Sequence, residues 1–201
     1  MNGISSKKLH TPLGPFYMLF EGARTEARLI FAGFSDPNSS GTRISVALRK
    51  HLASHRMPPQ DNTSRSQRPN TEQIYPEHKN SEKKLSEIAV IETVTRQLQH
   101  YFRGESSTFN IPLKLYGSPF QLAVWNYLLQ IKSGTTITYG EVARGSGYPR
   151  AVRAVGSAVG TNPISIIVPC HRVVPASGGI GNYGGGSERK KYLLERENAQ
   201  I

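Results

Sequence analysis

Between residues 54 and 84 the chain offers almost nothing to a hydrophobic core. The stretch SHRMPPQDNTSRSQRPNTEQIYPEHKNSEKK has only Met57, Ile74 and Tyr75 to bury among Pro, Ser, Asn, Gln and charged residues. Such a segment cannot offset the entropy of ordering its own backbone, so it reads as a mobile loop or linker. The fold has to be built from the two regions that flank it, and these differ in kind.

The first region reads as strands. In residues 11–35, Phe16–Phe20 and Leu29–Phe34 are aromatic and aliphatic runs separated by a Gly-containing turn. RISVALRKHLA (43–53) fits either a strand end or a short helix. The second region reads as helices. Residues 85–103 are apolar at Leu85, Ile88, Ile91, Val94, Leu98 and Phe102, a helical spacing, and Gly104 suits a C-cap. Residues 109–115 are expected to be extended. SPFQLAVWNYLLQI (118–131) opens on Ser118 as N-cap and Pro119 in the first turn, with Phe120, Val124, Trp125, Leu128 and Ile131 as a core stripe. In residues 135–162, Thr138 can cap a helix over Tyr139–Arg144. GSGYP then turns the chain, and a second helix runs over Arg150–Val159, closed by Gly160: a helix-turn-helix pattern. Ser187–Asn198 reads as a terminal helix with Leu193 and Leu194 facing inward.

Charge points to a polyanionic partner. The chain has 25 Lys and Arg against 14 Asp and Glu, a net charge of +11, and nucleic acid is the commonest intracellular polyanion. Residues 111–201 hold more than half of that excess. Yet the second helix, RAVRAVGSAVG, lacks the Asn, Gln and Lys that read base edges. Its small residues suit either close helix packing or entry into a narrow groove without sequence readout, with Arg153 then inserted into the duplex. The first residues, MNGISSKKLHTPLG, contain no apolar stretch of the kind a signal peptide needs, and no run approaches transmembrane length.

Cys170 is the only cysteine, so neither an internal disulfide nor a multi-cysteine metal site is open to the chain. A reducing intracellular compartment is expected: cytoplasm in a prokaryote, nucleus in a eukaryote. Cys170 follows the apolar run PISIIVP and precedes His171 and Arg172. A lone buried cysteine is most often inert, but an adjacent His can take the thiol proton, directly or through a water, and Arg172 adds positive charge. A carboxylate is needed to orient the imidazole, and Glu188, Glu195 and Glu197 are the candidates. Downstream, Gly179, Gly181 and Gly184 match a dinucleotide-binding spacing, but too little chain follows for that fold. The segment reads instead as a loop whose backbone approaches a ligand closely.

Pro169-Cys170-His171-Arg172-Val173 resembles the active-site signature of the methylated-DNA–protein-cysteine methyltransferases, the O6-alkylguanine-DNA alkyltransferases. The resemblance runs over about residues 110–201. It includes Phe120-Gln121, Val124-Trp125, Thr138-Tyr139, Arg153-Ala154-Val155-Gly156, Asn162-Pro163, Gly181-Asn182-Tyr183, Leu193-Leu194 and Glu197. It implies an α/β (α+β) chain: a small antiparallel sheet with a helix over residues 1–110, then a mostly helical region over 111–201 carrying the helix-turn-helix and Cys170. It implies single-turnover transfer of the methyl group of O6-methylguanine, and less efficiently of O4-methylthymine, from double-stranded DNA to Cys170 after base flipping.

The implied roles follow residue by residue. His171, through a water, is the base for Cys170; Glu197 orients His171; Asn162 holds the turn before the active-site strand. Tyr139 crowds the phosphate and Arg153 fills the space the base leaves, with Arg150, Ala154 and Gly156 on the same DNA-facing surface. Tyr183, Gly184, Val159 and Val173 wall the guanine pocket. No metal or organic cofactor is expected, nor a membrane partner, and the chain is expected to act as a monomer. Alkyltransferase-like proteins, which bind lesions without an acceptor, lack the cysteine found here. A Cys-His hydrolase or thiol redox sensor would leave the basic charge and Arg153 unexplained.

Overall fold

The structure, a computed structural model, describes residues 3–23, 26–35, 43, 45–55 and 86–199. Three strands, β1 (Gly3–Thr11), β2 (Gly14–Ala23) and β3 (Glu26–Gly33), form an antiparallel sheet in the order β1-β2-β3. The second and third fall on the two runs read from the sequence. The first was not foreseen, because Ser6, Lys7, Lys8 and His10 are exposed and give no apolar alternation. It is an edge strand, where lysines discourage pairing with another chain.

Helices cover both faces of the sheet. On one face Leu48 and Leu52 of α1 (Val46–His55) pack with Leu19, Ile30 and Phe31. From Val46 onward the 43–53 stretch is therefore helical, and its first turn is capped by Ser45, whose Oγ accepts the Leu48 amide at 3.0 Å. Ser54 and His55 complete α1, and the rest of the expected loop lies outside the described residues. On the other face lies α2 (Glu87–Arg103), capped by Ser86 and closed by Gly104 in the left-handed conformation (φ 93°). Its buried stripe is Val90, Val94, Leu98 and Tyr101, with Ile91 and Phe102 at the flanks. Ile88, expected in the stripe, is 69% exposed: the i, i+4, i+8 row from Val90 carries the packing, which turns Ile88 away from the sheet. Leu85 lies outside the described residues.

The free edge of β3 joins the two regions. Of residues 109–115, expected to be extended, Leu113 forms a single parallel bridge with Leu29, which exchanges backbone hydrogen bonds with Pro112 and Lys114. Three residues along β3, Ala32 does the same with Pro163 and Ser165. The loop that leads to Cys170 is thereby fastened to the sheet.

α3 (Pro119–Leu128) begins in a capping box of Ser118 and Gln121 and buries Leu122, Val124, Trp125 and Leu128. β4 (Ile137–Thr138) leads into α4 (Tyr139–Gly145), capped by Thr138 with Glu141. α5 (Val152–Gly160) starts two residues later than expected. A turn closed by the Ala151 amide on the Tyr148 carbonyl comes first, so Arg150 stands outside the helix. Gly160 is the last residue of α5, and Thr161 is its C-cap. Trp125 Nε1 donates to the Ala158 carbonyl at 2.8 Å and fixes α3 against α5. After a 3-10 turn at Cys170–Arg172, β5 (Val173–Val174) pairs parallel with β4, and α6 (Ser187–Arg196) buries Leu193 and Leu194. One buried cluster runs from Phe16, Met18 and Leu29 of the sheet to Trp125, Val155 and Leu193.

Candidate active site

The turn after α5 is built around one side chain. Asn162 Nδ2 donates to the Val168 carbonyl at 2.7 Å and lies 3.0 Å from Cys170 Sγ, and its Oδ1 accepts the Ile164 amide at 3.0 Å. Inside the loop it spans, Ile166 has φ 73°, an unfavourable backbone conformation for a β-branched residue. No strand leads into Cys170. Ile164 makes a single bridge to Ala32, and the chain reaches the cysteine through turns.

Cys170 is 6% exposed. Burial pushes its thiol up, against the opposing pull of the Asn162 hydrogen bond and the positive charge of Lys190. At rest it is a thiol. Burial likewise pulls His171 down, against the hydrogen bond and charge of Glu197, so the ring is neutral. Burial alone would raise the Glu197 carboxyl, but its hydrogen bonds and charge interactions with His171 and Arg172 hold it far below the usual carboxylate range.

These three states fix the tautomer. His171 Nε2 lies 3.0 Å from Glu197 Oε1. An ionised carboxylate can only accept, so Nε2 carries the proton and Nδ1 is left with its lone pair. Nδ1 is a buried atom without a protein hydrogen-bond partner among the described residues. The arrangement is a neutral imidazole with its basic nitrogen free, next in sequence to a thiol.

Glu197 is held from several directions. Arg172 Nε donates to Oε2 at 2.8 Å and Nη2 to Oε1 at 2.9 Å, a bidentate pair. The Tyr101 hydroxyl donates to Oε1 at 2.8 Å and the Gly134 amide to Oε2 at 3.4 Å. The other two candidate carboxylates stay out: Glu188 and Glu195 are exposed, and Glu195 faces Lys191.

Cys170 borders a cavity of about 1110 Å³ between the end of β3, α5 and the glycine loop before α6. Tyr139, Arg153, Gly156, Val159, Asn162, Tyr183 and Gly184 all line it. Arg153 and Ala154 are exposed on α5, and Arg150 is exposed in the turn before it. Burial and then the nearby Cys170 push the half-buried Tyr139 hydroxyl up. Val173 departs from expectation. It does not line the cavity; its side chain is wholly buried in the core and its carbonyl accepts from Lys190 Nζ at 2.6 Å. Its alternation in β5 turns the side chain inward.

Four contributors went unread. Tyr101, Lys190, the Gly134 amide and the β3 exit at Phe34 and Ser35, which also lines the cavity, were not foreseen. Lys190 did carry a signal: 190, 193, 194 and 197 form one helical stripe, so it had to face inward with Leu193 and Leu194. Its ammonium is wholly buried and burial pulls it down to about 8. Among the described residues no group of three or more His, Cys, Asp or Glu could hold a metal ion, and no helix is long and apolar enough to cross a membrane.

Residues 119–199 match the family profile described as 6-O-methylguanine DNA methyltransferase, DNA binding domain. A methylated-DNA–protein-cysteine methyltransferase of Mycobacterium tuberculosis is 54% identical over 104 residues, which is 52% of this chain and 63% of that one. The chain thus spans a little under two thirds of that relative's length. The Mycobacterium leprae protein of the same name is 50% identical over 117 residues, 58% of this chain and 71% of its own. The solved Mycobacterium tuberculosis O6-methylguanine methyltransferase superposes with a TM-score of 0.66 at 33% identity, over 97% of this chain and 93% of that one. Another structure of similar likeness (TM-score 0.65, 33% identity, 96% and 92% covered) is Mycobacterium tuberculosis OGT in complex with DNA. Since the likeness extends through the sheet as well as the cysteine-bearing half, this chain belongs to the methylated-DNA–protein-cysteine methyltransferase family.

Proposed function

We propose that the chain repairs DNA by direct reversal, moving the alkyl group of O6-alkylguanine irreversibly to its own Cys170. The observation that carries this reading is the juxtaposition at the cavity floor. A buried thiol with an Asn162 donor at 3.0 Å is followed by a neutral His171 oriented by Glu197, beneath a groove edged by Arg153. In this reading residues 1–110 form the platform and residues 111–201 carry the chemistry.

The O6 of guanine lies inside the base stack, so the nucleotide must be rotated out, at a cost of roughly a few kcal/mol. Arg153, from the small-residue face of α5, occupies the space left in the duplex, and Tyr139 crowds the phosphate. Arg150, Ala154 and Gly156 lie against the backbone without reading sequence, so affinity comes largely from phosphates and falls with salt. Tyr183, Gly184 and Val159 flank the extruded base.

His171 Nδ1 then takes the thiol proton, directly or through a water. Sulfur attacks the methyl carbon; the S–C bond forms as the C–O6 bond breaks, and the electron pair leaves on guanine. Asn162 and Lys190 stabilise the transient thiolate. The thioether does not revert, so each molecule acts once. O4-methylthymine is a poorer substrate. The reaction belongs in a reducing, DNA-containing compartment of the cell, and one copy of the chain carries every group it uses.

The test is transfer from duplex DNA bearing radiolabelled O6-methylguanine. Label should saturate near one methyl per molecule and be absent from Cys170→Ala, which still binds DNA. Tight binding by the wild type with no transfer would overturn the reading.

A further inference from the structure

Tyr101 sits at the end of α2, in the sheet-bearing half of the chain, yet its hydroxyl reaches Glu197 Oε1 at 2.8 Å across 96 positions of sequence. The ring is 1% exposed and clamped on all sides. Phe102 and Phe109 lie against it at 5.5 and 5.6 Å between ring centroids, and the Arg196 guanidinium stands 5.7 Å over its face. Arg196 Nη2 also donates to the Tyr101 carbonyl, and Gly104 leaves room for it: a Cβ there would stand 2.9 Å from that nitrogen. Oε1 is also the oxygen that orients His171. The phenol and the imidazole compete for one acceptor.

We infer that Tyr101 is a positioning residue of the acceptor site, its hydroxyl drawing charge from Glu197 and so limiting how basic Glu197 makes His171. The inference rests on the proposed Cys170–His171–Glu197 relay. A buried phenol needs a partner, and here it has an ionised one, so the bond is charge-assisted. Burial keeps the Tyr101 proton in place, so the group is a permanent donor. The charged and titratable groups around the carboxylate and the ring are His171, Arg172, Lys190, Arg196 and Tyr183. Each is left unchanged by replacing Tyr101, which makes the position separable. Through it the packing of α2 reaches the chemistry of the cysteine.

The single cysteine provides a clean assay: the rate of Cys170 alkylation by iodoacetamide, from about pH 5.5 to about pH 9. Tyr101→Phe returns charge to Glu197, makes His171 more basic and moves the acid limb to higher pH. The rate near pH 6 should fall about threefold or more relative to the wild type, with less than about a twofold change near pH 8.5. 3,5-Difluorotyrosine at position 101 is a stronger donor of the same shape and should move the limb the other way. An equal loss at both pH values, or limbs that coincide in all three proteins, would overturn the inference. Glu197→Gln is the control for the relay itself: a profile like the wild type's would show that the relay reading, and not the role of Tyr101 within it, had failed.

Discussion

Asn162 Nδ2 stands 3.0 Å from Cys170 Sγ while the Oδ1 of the same side chain holds the Ile164 amide at 3.0 Å. One residue therefore does two things. It braces the loop that contains the positive-φ Ile166, and it offers the sulfur a donor that a thiolate uses better than a thiol. The two roles can be separated by chemistry. Asn162→Ala loses both: the Ile164 amide is left buried without its acceptor, and the Val168 carbonyl keeps only the Cys170 amide. We expect a loss of about 2–4 kcal/mol in urea unfolding. Asn162→Asp keeps the Ile164 contact but places negative charge beside Cys170. It should slow methyl transfer at neutral pH by about tenfold or more. Transfer by Asn162→Asp at the wild-type rate would remove the electrostatic role.

Lys190 is a buried cation whose charge acts on Cys170. It is wholly buried, is the largest charge opposing the rise of the Cys170 thiol, and is itself pulled down to about 8. At neutral pH it is ammonium and favours the thiolate. Lys190→Met should slow single-turnover transfer at pH 7 by about tenfold. The deficit should shrink above about pH 8, because the wild-type lysine then loses its own proton. Stopped-flow transfer from pH 6.5 to 9.5 checks both the size and the direction; a deficit that stays constant across that range would refute the charge argument.

Arg153 is exposed on α5 and lines the cavity that Cys170 borders. If it fills the gap left by a rotated base, its loss should matter only when there is a stack to leave. Arg153→Ala is expected to slow transfer from duplex DNA by about 10- to 100-fold, while reaction with free O6-methylguanine changes less than about twofold. Equal losses on the two substrates would assign Arg153 to pocket structure and not to base extrusion.

How much of this was legible in the sequence depends on which force set each feature. Caps were legible, because Ser118, Thr138 and Gly104 act over three or four residues of local chain, although the Ser86 cap of α2 was not read. Cys170, His171 and Asn162 were legible as a motif, but residue chemistry alone left three glutamates open. The fold selects Glu197 by ending α6 at Arg196, so that the C-cap residue turns back under the 3-10 turn. β1 escaped notice because an exposed edge strand carries no apolar period. Ile88 misled because a helix stripe is decided by which row meets the sheet, a tertiary matter. Tyr101 left no trace at all: its role depends on a contact across 96 positions that no local pattern encodes.

The buried charges at Glu197 make stability depend on pH in a predictable direction. The folded carboxyl is held below its unfolded value, so its contribution is complete above the ordinary carboxylate range, about pH 4.3, and is lost as pH falls below it. His171 acts in the same sense. Its folded form is pulled below the ordinary histidine value, so the unfolded chain takes up the proton first as pH drops through about 6.5. Both slopes lower stability toward acid. Glu197→Gln removes the first and leaves the bidentate Arg172 buried without a counter-charge, at a cost of about 3–5 kcal/mol at neutral pH. Urea unfolding at pH 3, 4, 5 and 7 should therefore show a steep decline below pH 5 in the wild type and a flatter, lower curve in Glu197→Gln. Parallel curves for the two proteins would mean that the pairs around Glu197 do not report on folding at all.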